Sequence, residues 1–394
     1  MLLIFGELTM HRLLARLFLG LLVGGSAALP ALAQVAPPTI TARSWFLLDA
    51  TTGHVIASHE ADRKSDPASL TKLMTAYLAF NALKEKRLAL DARPMVSQRA
   101  YKAIGSRMFV EPAAPASVEE LLRGMIIQSG NDASIVLAEA LAGGEEPFAQ
   151  QMNREAERLG MRNTQFRNAT GLPNAEHYST ARDMAILAAR LVVDHPDFYK
   201  FYSEREFTFN KIRQPNRNRL LFIDPTVDGM KTGFTEAAGY CLIASARREQ
   251  PGTGLSRRLI AVVMGATTES VRITETQRLL NYGFQNFELV RAYSKGQELG
   301  SYPVWKGKGV LVAGAVDQDI VITVPRGQAD KVKGEVERVE PLIAPITQGQ
   351  RIGTLRVKLG EQVMAERPVL AQATVDEAGW VGRLWDGLRL KFAK

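Results

Sequence analysis

The chain has 394 residues, 46% of them hydrophobic and 23% charged, and a formal net charge of +8. That is length enough for two domains with ordinary globular composition, which excludes disordered and fibrous classes. The basic excess is spread along the chain with no Lys/Arg block and no interleaved aromatic-basic motif, so no nucleic-acid partner is expected.

Residues 1–33 read as a signal peptide. His11, Arg12 and Arg16 form a basic start, residues 17–29 are a short apolar stretch, and Ala31-Leu32-Ala33 offers a small-residue cleavage site before Gln34. The apolar stretch is short and Gly-rich for a membrane span, an uncleaved anchor being the other reading. Met10 is as good a start as Met1. Either way the body of the protein is expected to be exported.

After Pro37 and Pro38, residues 44–49 and 54–58 read as a β-hairpin turning at Asp49-Ala50-Thr51-Thr52-Gly53. Pro67 followed by Leu70, Leu73, Met74, Tyr77 and Leu78 predicts a helix running to about Lys84. Ser117 and Glu120 form a capping box for a helix through Ile127. A break at 128–132 precedes another helical pattern (Ile135, Leu137, Ala138, Leu141) that stops at Gly143-Gly144. Helices are also predicted over 148–159 and, capped by Thr180, over 181–193.

From Phe207 the texture becomes strand-like. A strand at 207–209, a turn-rich stretch at 214–218 and a turn at Asp228-Gly229 precede strands at 239–247 and 258–264 and a closing helix at 269–282. An early hairpin, central helices and late antiparallel strands argue an α/β-type (α+β) domain over 34–289, its mostly antiparallel sheet covered by helices. Residues 290–375 are short alternating runs between Gly, Pro and Asp, which predicts a small all-β domain.

The tail, 376–394, differs. Trp380, Val381, Leu384, Trp385, Leu388 and Phe392 fall on one helical stripe, with Arg383, Arg389, Lys391 and Lys394 mostly off it. This pattern suits an amphipathic helix lying in an anionic membrane interface; a helix docked on the β domain is the alternative. Gly382 and Gly387 weaken the helix in water, which favours folding on lipid.

The only cysteine, Cys241, lies in an apolar strand-like run and reads as a buried, inert thiol. The five histidines lack metal spacing, so no metal site and no cofactor are expected. Chemistry concentrates instead in three short motifs. Ser69 and Lys72 share one helix face a turn apart, where a desolvated amine activates a hydroxyl and the helix start stabilises negative charge. A lone Ser-x-x-Lys arises about once in a chain this long. Here Ser129-Gly130-Asn131 sits at a helix–helix junction and Lys231-Thr232-Gly233 at a strand start, about 60 and 100 residues further on. All three in this order make a specific signal.

With its Ser-x-x-Lys, Ser-Gly-Asn and Lys-Thr-Gly motifs, the chain resembles the penicillin-recognising serine peptidases. Within them it resembles the low-molecular-mass penicillin-binding proteins of the Gram-negative, membrane-anchored type, D-alanyl-D-alanine carboxypeptidases with a β domain and an amphipathic C-terminal anchor. Stretches 66–72, 128–133, 178–184 and 227–233 carry the likeness. It implies the penicillin-recognising transpeptidase/β-lactamase-like fold and removal of the terminal D-alanine from peptidoglycan stem peptides. It further implies an acyl-enzyme on Ser69, acylation by β-lactams, and a periplasmic location on the inner membrane.

On the same resemblance, Lys72 is the general base, kept neutral by desolvation and by the charge of Lys231. Ser129 relays a proton to the leaving amine and Asn131 orients Lys72. Lys231, Thr232 and Gly233 present a strand edge and a cation to the substrate's carboxylate end, with Arg217 and Arg272 nearby. The oxyanion hole maps to the N–H groups of Ser69 and Phe234. Phe234 departs from the polar residue common after Lys-Thr-Gly, which bears on carboxylate recognition and deacylation. A DD-endopeptidase shares all of these residues. A class A β-lactamase would add a deacylating Glu, and stretch 167–173 has none. A non-catalytic cell-wall-binding role on this scaffold is a further alternative, against which the intact motifs weigh. A homodimer is left open.

Overall fold

Strand β1 (Ser44–Asp49) is buried along its whole length. It turns Phe46 and Leu48 to one hydrophobic core and Trp45 and Leu47 to another, so the strand period of two feeds a core on each side. The computed structural model describes residues 36–392, except the side chains of 391 and 392. The predicted signal peptide and the last two residues lie outside the described residues. The described residues from 37 onward form one compact unit.

The strands that follow are β2 (His54–His59), β3 (Glu206–Phe209), β4 (Ile212–Pro215), β5 (Val227–Thr235), β6 (Gly239–Gln250) and β7 (Leu255–Ala266). The longer helices are α1 (Lys72–Lys84), α2 (Val118–Ile127), α3 (Asn131–Ala142), α4 (Glu145–Leu159), α5 (Ala181–Asp194) and α6 (Glu269–Asn286). Five strands form an antiparallel sheet in the order β2-β1-β7-β6-β5, which leaves β5 as an edge.

One sheet face (Phe46, Ile243, Ile260, Val262) shares a core with Leu73, Met74, Tyr77 and Phe80 of α1 and Met184, Leu187 and Leu191 of α5. The other (Leu47, Leu242, Ala261, Val263) is covered by Leu279 and Leu280 of α6. Each such large side chain contributes about 1.5–3 kcal/mol through burial. Helix α1 is buried on nearly every side, which places Lys72 inside the protein.

Local signals act as predicted. Ser117 Oγ accepts from Glu120 N–H at 3.2 Å while Glu120 Oε2 accepts from Ser117 N–H at 2.7 Å. Thr180 Oγ1 accepts from Asp183 N–H at 3.1 Å, and α3 ends on Gly143 at φ +77°.

Two local expectations are corrected. Asp228-Gly229 is no turn: it lies within β5, where the register to β6 shifts between Val227 and Gly229. Asp228 is held there by Tyr199 Oη at 3.0 Å and Arg258 Nη1 at 2.8 Å, partners no local pattern reveals. The turn-rich stretch at 214–218 begins inside β4, which pairs with β3 as a hairpin.

Strands β8 (Phe287–Tyr293), β9 (Glu298–Pro303), β10 (Leu311–Ala315), β11 (Ile320–Pro325), β12 (Val332–Arg338), β13 (Arg351–Leu359) and β14 (Gln362–Ala371) follow α6. They form a sheet in the order β12-β13-β14-β10-β9 and a separate β8–β11 pair, around a core with Tyr302, Ile322, Leu355, Val357 and Val369. At the junction with the first sheet, buried Asp49 Oδ2 accepts from Arg257 Nε at 2.6 Å and from Thr323 Oγ1 at 2.8 Å. A final helix, α7 (Trp380–Phe392), meets the β domain where Asp386 Oδ2 accepts from Lys306 N–H at 2.7 Å.

Candidate active site

The chain reaches the site through a tight turn. Asp66 Oδ1 accepts from Ala68 N–H at 2.9 Å, Ala68 takes φ +47°, and residues 68–71 form one 3-10 turn before α1 starts at Lys72. Ser69 thus sits in that turn rather than in the α-helix proper. Thr235 Oγ1 donates to Asp66 Oδ2 at 3.1 Å, and Gly233 lies so close that a Cβ would stand 3.1 Å from Pro67 O. The edge strand β5 therefore runs against the serine turn.

Lys72 is 1% exposed. Its Nζ lies 3.0 Å from Ser69 Oγ, 2.7 Å from Asn131 Oδ1 and 2.5 Å from Thr170 O. A neutral amine has two N–H donors and one lone pair. Asn131 Oδ1 and Thr170 O can only accept, so they take the two donors and leave the lone pair for the Ser69 hydroxyl proton. Burial pushes the Lys72 ammonium down to about 7; Arg217 adds to the push, and Asp132 and Glu145 oppose it.

Arg217 therefore joins the mutual repulsion between Lys72 and Lys231 in disfavouring the ammonium at Lys72. Lys231 is equally buried and is itself pushed well down by burial and then by Lys72. Its Nζ donates to Thr232 O at 3.0 Å.

Ser129 is held at φ +68°, a left-handed conformation costly for serine, and its buried Oγ has no hydrogen-bond partner. A hydroxyl so placed is free to take a proton from one side and give it to another. Asn131 Nδ2 donates to Ile104 O at 2.7 Å, which fixes its carbonyl toward Lys72. The next residue, Asp132, accepts from Met108, Phe109 and Val110 N–H groups at 3.0, 2.7 and 3.2 Å and ties down the loop beside the cleft.

The loop opposite is built by Asn168, whose Oδ1 accepts from Thr170 and Gly171 N–H at 3.1 and 2.7 Å. Gly171 has φ +81°, and a Cβ there would stand 1.8 Å from Ala68 O. Only glycine lets the loop bring Thr170 O to Lys72. The buried acid bound to this loop, Glu145, accepts from Ala169 N–H at 3.2 Å and pairs with Arg99 at 2.5 Å.

Ser69, Ser129, Asn131, Thr232, Gly233 and Phe234 line one cavity of about 740 Å³, and Arg217 and Arg272 line its wall. Arg272 Nη2 donates to Glu269 Oε1 at 2.8 Å and Nη1 to Gly233 O at 3.5 Å, while its buried Nε has no partner. Both guanidiniums are pushed down by burial, and Arg217 further by Arg272, a strain that a bound anion would relieve.

Sequence reasoning missed Thr170, Asn168, Asp132 and Tyr240. A pattern Asn-x-Thr-Gly was a turn signal available for the first two. Cys241 is buried and its thiol is pushed up to about 11 by burial, in keeping with an inert side chain. Among the described residues no group of three or more His, Cys, Asp or Glu side chains could hold a metal ion.

Residues 31–268 match the family of D-alanyl-D-alanine carboxypeptidases, peptidase family S11, and residues 287–377 match the C-terminal domain of penicillin-binding protein 5. The chain is 43% identical to the D-alanyl-D-alanine carboxypeptidase DacC of Escherichia coli (strain K12), over 91% of this chain and 90% of that one. It is 40% identical to DacA of Haemophilus influenzae, over 90% and 91%. The solved structure of penicillin binding protein 5 from Haemophilus influenzae superposes with a TM-score of 0.80 at 39% identity, over 87% of this chain and all of that one. Penicillin-binding protein D2 from Listeria monocytogenes in its ampicillin-bound form covers 64% of this chain and 100% of its own, at 30% identity and a TM-score of 0.57.

Proposed function

The chain belongs to the D-alanyl-D-alanine carboxypeptidase family, and from that membership and the geometry of the cleft we propose how its residues carry the reaction. The enzyme is a serine hydrolase that removes the terminal D-alanine from peptidoglycan stem peptides and binds β-lactams. The observation that carries the residue assignment is the 3.0 Å approach of Ser69 Oγ to Lys72 Nζ, an amine whose burial favours its neutral form.

Neutral Lys72 takes the Ser69 hydroxyl proton as Oγ attacks the carbonyl carbon of the penultimate D-alanine. The Ser69 and Phe234 N–H groups hold the oxyanion. As the C–N bond breaks, the Lys72 ammonium returns its proton through Ser129 O–H to the leaving amine. Water then cleaves the Ser69 ester, with Lys72 again the base. The leaving residue's carboxylate lies against Thr232, Lys231, Arg217 and Arg272.

The loop at 168–172 offers the deacylating water a backbone carbonyl and no carboxylate, and Glu145 is engaged by Arg99 and Ala169. This weighs against the β-lactamase reading and supports a long-lived penicilloyl-enzyme.

Residues 1–33 serve as the signal peptide, 34–289 as the catalytic domain, 290–375 as the all-β domain and 376–394 as a peripheral anchor at the periplasmic face of the inner membrane. Exposure of Trp380, Val381, Leu384 and Trp385, 60–74% each, supports the anchor. Among the described residues no helix is long and apolar enough to cross a membrane.

The test is release of free D-alanine from a peptide ending in D-Ala-D-Ala, with Ser69→Ala in parallel. Release by the wild type and none by the variant supports the assignment. Equal release by both would sink it.

A further inference from the structure

Phe234 of β5 and Tyr240 of β6 are cross-strand partners, and their ring centroids lie 4.4 Å apart at 36°. Thr232, two residues before Phe234 on the same strand, shares that sheet face. Phe234 is 44% exposed, and both residues line the cleft that holds Ser69. The Arg272 guanidinium carbon lies 5.5 Å from the Tyr240 centroid while its Nη1 reaches Gly233 O. The cationic end of the cleft and the ring pair are therefore one continuous surface, with the buried, partnerless Arg272 Nε between strand and helix.

We propose that the Phe234–Tyr240 pair is a subsite for the side chain of the leaving D-residue and accepts apolar side chains larger than the methyl of D-alanine. This rests on the placement of that residue's carboxylate at Thr232, Arg217 and Arg272. With the scissile bond at Ser69 and the carboxylate at that end, the α-carbon between them sits beside the strand face that ends in Phe234. A methyl covers little of a half-exposed ring, whereas a leucine-sized group removes more apolar surface from water. Glu269 is engaged by Arg272, so the pair itself presents no free charge to select a polar side chain. The bond broken is unchanged: the same C–N bond is hydrolysed and a larger D-amino acid departs.

The experiment measures kcat/KM for two peptides differing only in the last residue, one ending in D-Ala-D-Ala and one in D-Ala-D-Leu. The full chain, Phe234→Tyr and Phe234→Thr are compared through the D-Leu/D-Ala ratio, which general damage to the enzyme leaves unmoved. The ratio is expected to fall about five- to ten-fold in Phe234→Thr and to be kept in Phe234→Tyr. A ratio unchanged or raised in Phe234→Thr, or a wild type that cleaves only D-Ala-D-Ala, overturns the subsite and leaves the catalytic reading standing. Cleavage of neither peptide by the wild type overturns both.

Discussion

Asn131 Oδ1 accepts from Lys72 Nζ at 2.7 Å while Asn131 Nδ2 donates to Ile104 O at 2.7 Å, so the amide cannot flip without losing both bonds. The residue thereby offers Lys72 a neutral acceptor where an acid would favour the ammonium.

With Lys72 lowered to about 7 chiefly by burial, the reactive neutral amine is the major form above that pH and is lost below it. β-Lactam acylation rates should rise about ten-fold per pH unit below 7 and level off above it. Asn131→Asp should move that midpoint upward by about one to three units. A midpoint that stays put in stopped-flow acylation would remove Lys72 as the base.

His177 offers a stability test. Its Nδ1 accepts from Arg167 N–H at 3.1 Å, so Nε2 carries the proton that Thr71 Oγ1 receives at 2.8 Å. Burial, aided by Lys72, holds the imidazole down to about 4 from 6.5. Above 6.5 both folded and unfolded forms are neutral; between 6.5 and 4 only the unfolded chain takes the proton, so stability falls as pH drops. The full loss is about 3 kcal/mol. Urea midpoints from pH 8 to 4 should decline less steeply in His177→Gln, with a remainder from His54 and His195, also lowered by burial.

The buried Asp49–Arg257 pair, 0% and 3% exposed, joins the sheet to the β domain through Thr323. Asp49→Ala strands the guanidinium and should cost about 3–5 kcal/mol; Thr323→Val should cost about 1 kcal/mol. Denaturant midpoints check this, while acylation by a fluorescent penicillin at low denaturant should stay near the wild-type rate.

The exposed stripe of α7 predicts binding to vesicles containing anionic lipid. Trp385→Glu should weaken co-sedimentation at least ten-fold, and added salt should weaken the wild type. Equal sedimentation of wild type and variant would rule the helix out as the anchor.

Much of the site was legible because its chemistry demands particular residue types at short spacings: Ser69 with Lys72, Ser129 with Asn131, and Lys231-Thr232-Gly233. The caps at Ser117 and Thr180 and the alternation of β1 were legible for a similar reason, since side-chain-to-backbone bonds and strand period act within a few residues. Tertiary structure alone decided the electrostatics. The carbonyl of Thr170 meets Lys72 from 98 residues away, and a backbone oxygen has no letter in a sequence. Gly171 reads as any turn glycine until the Ala68 carbonyl is found against it. Arg217 adds its charge to the burial that lowers Lys72, and no spacing in the chain announces it, because charge acts through space in a buried site and chain order carries no distance.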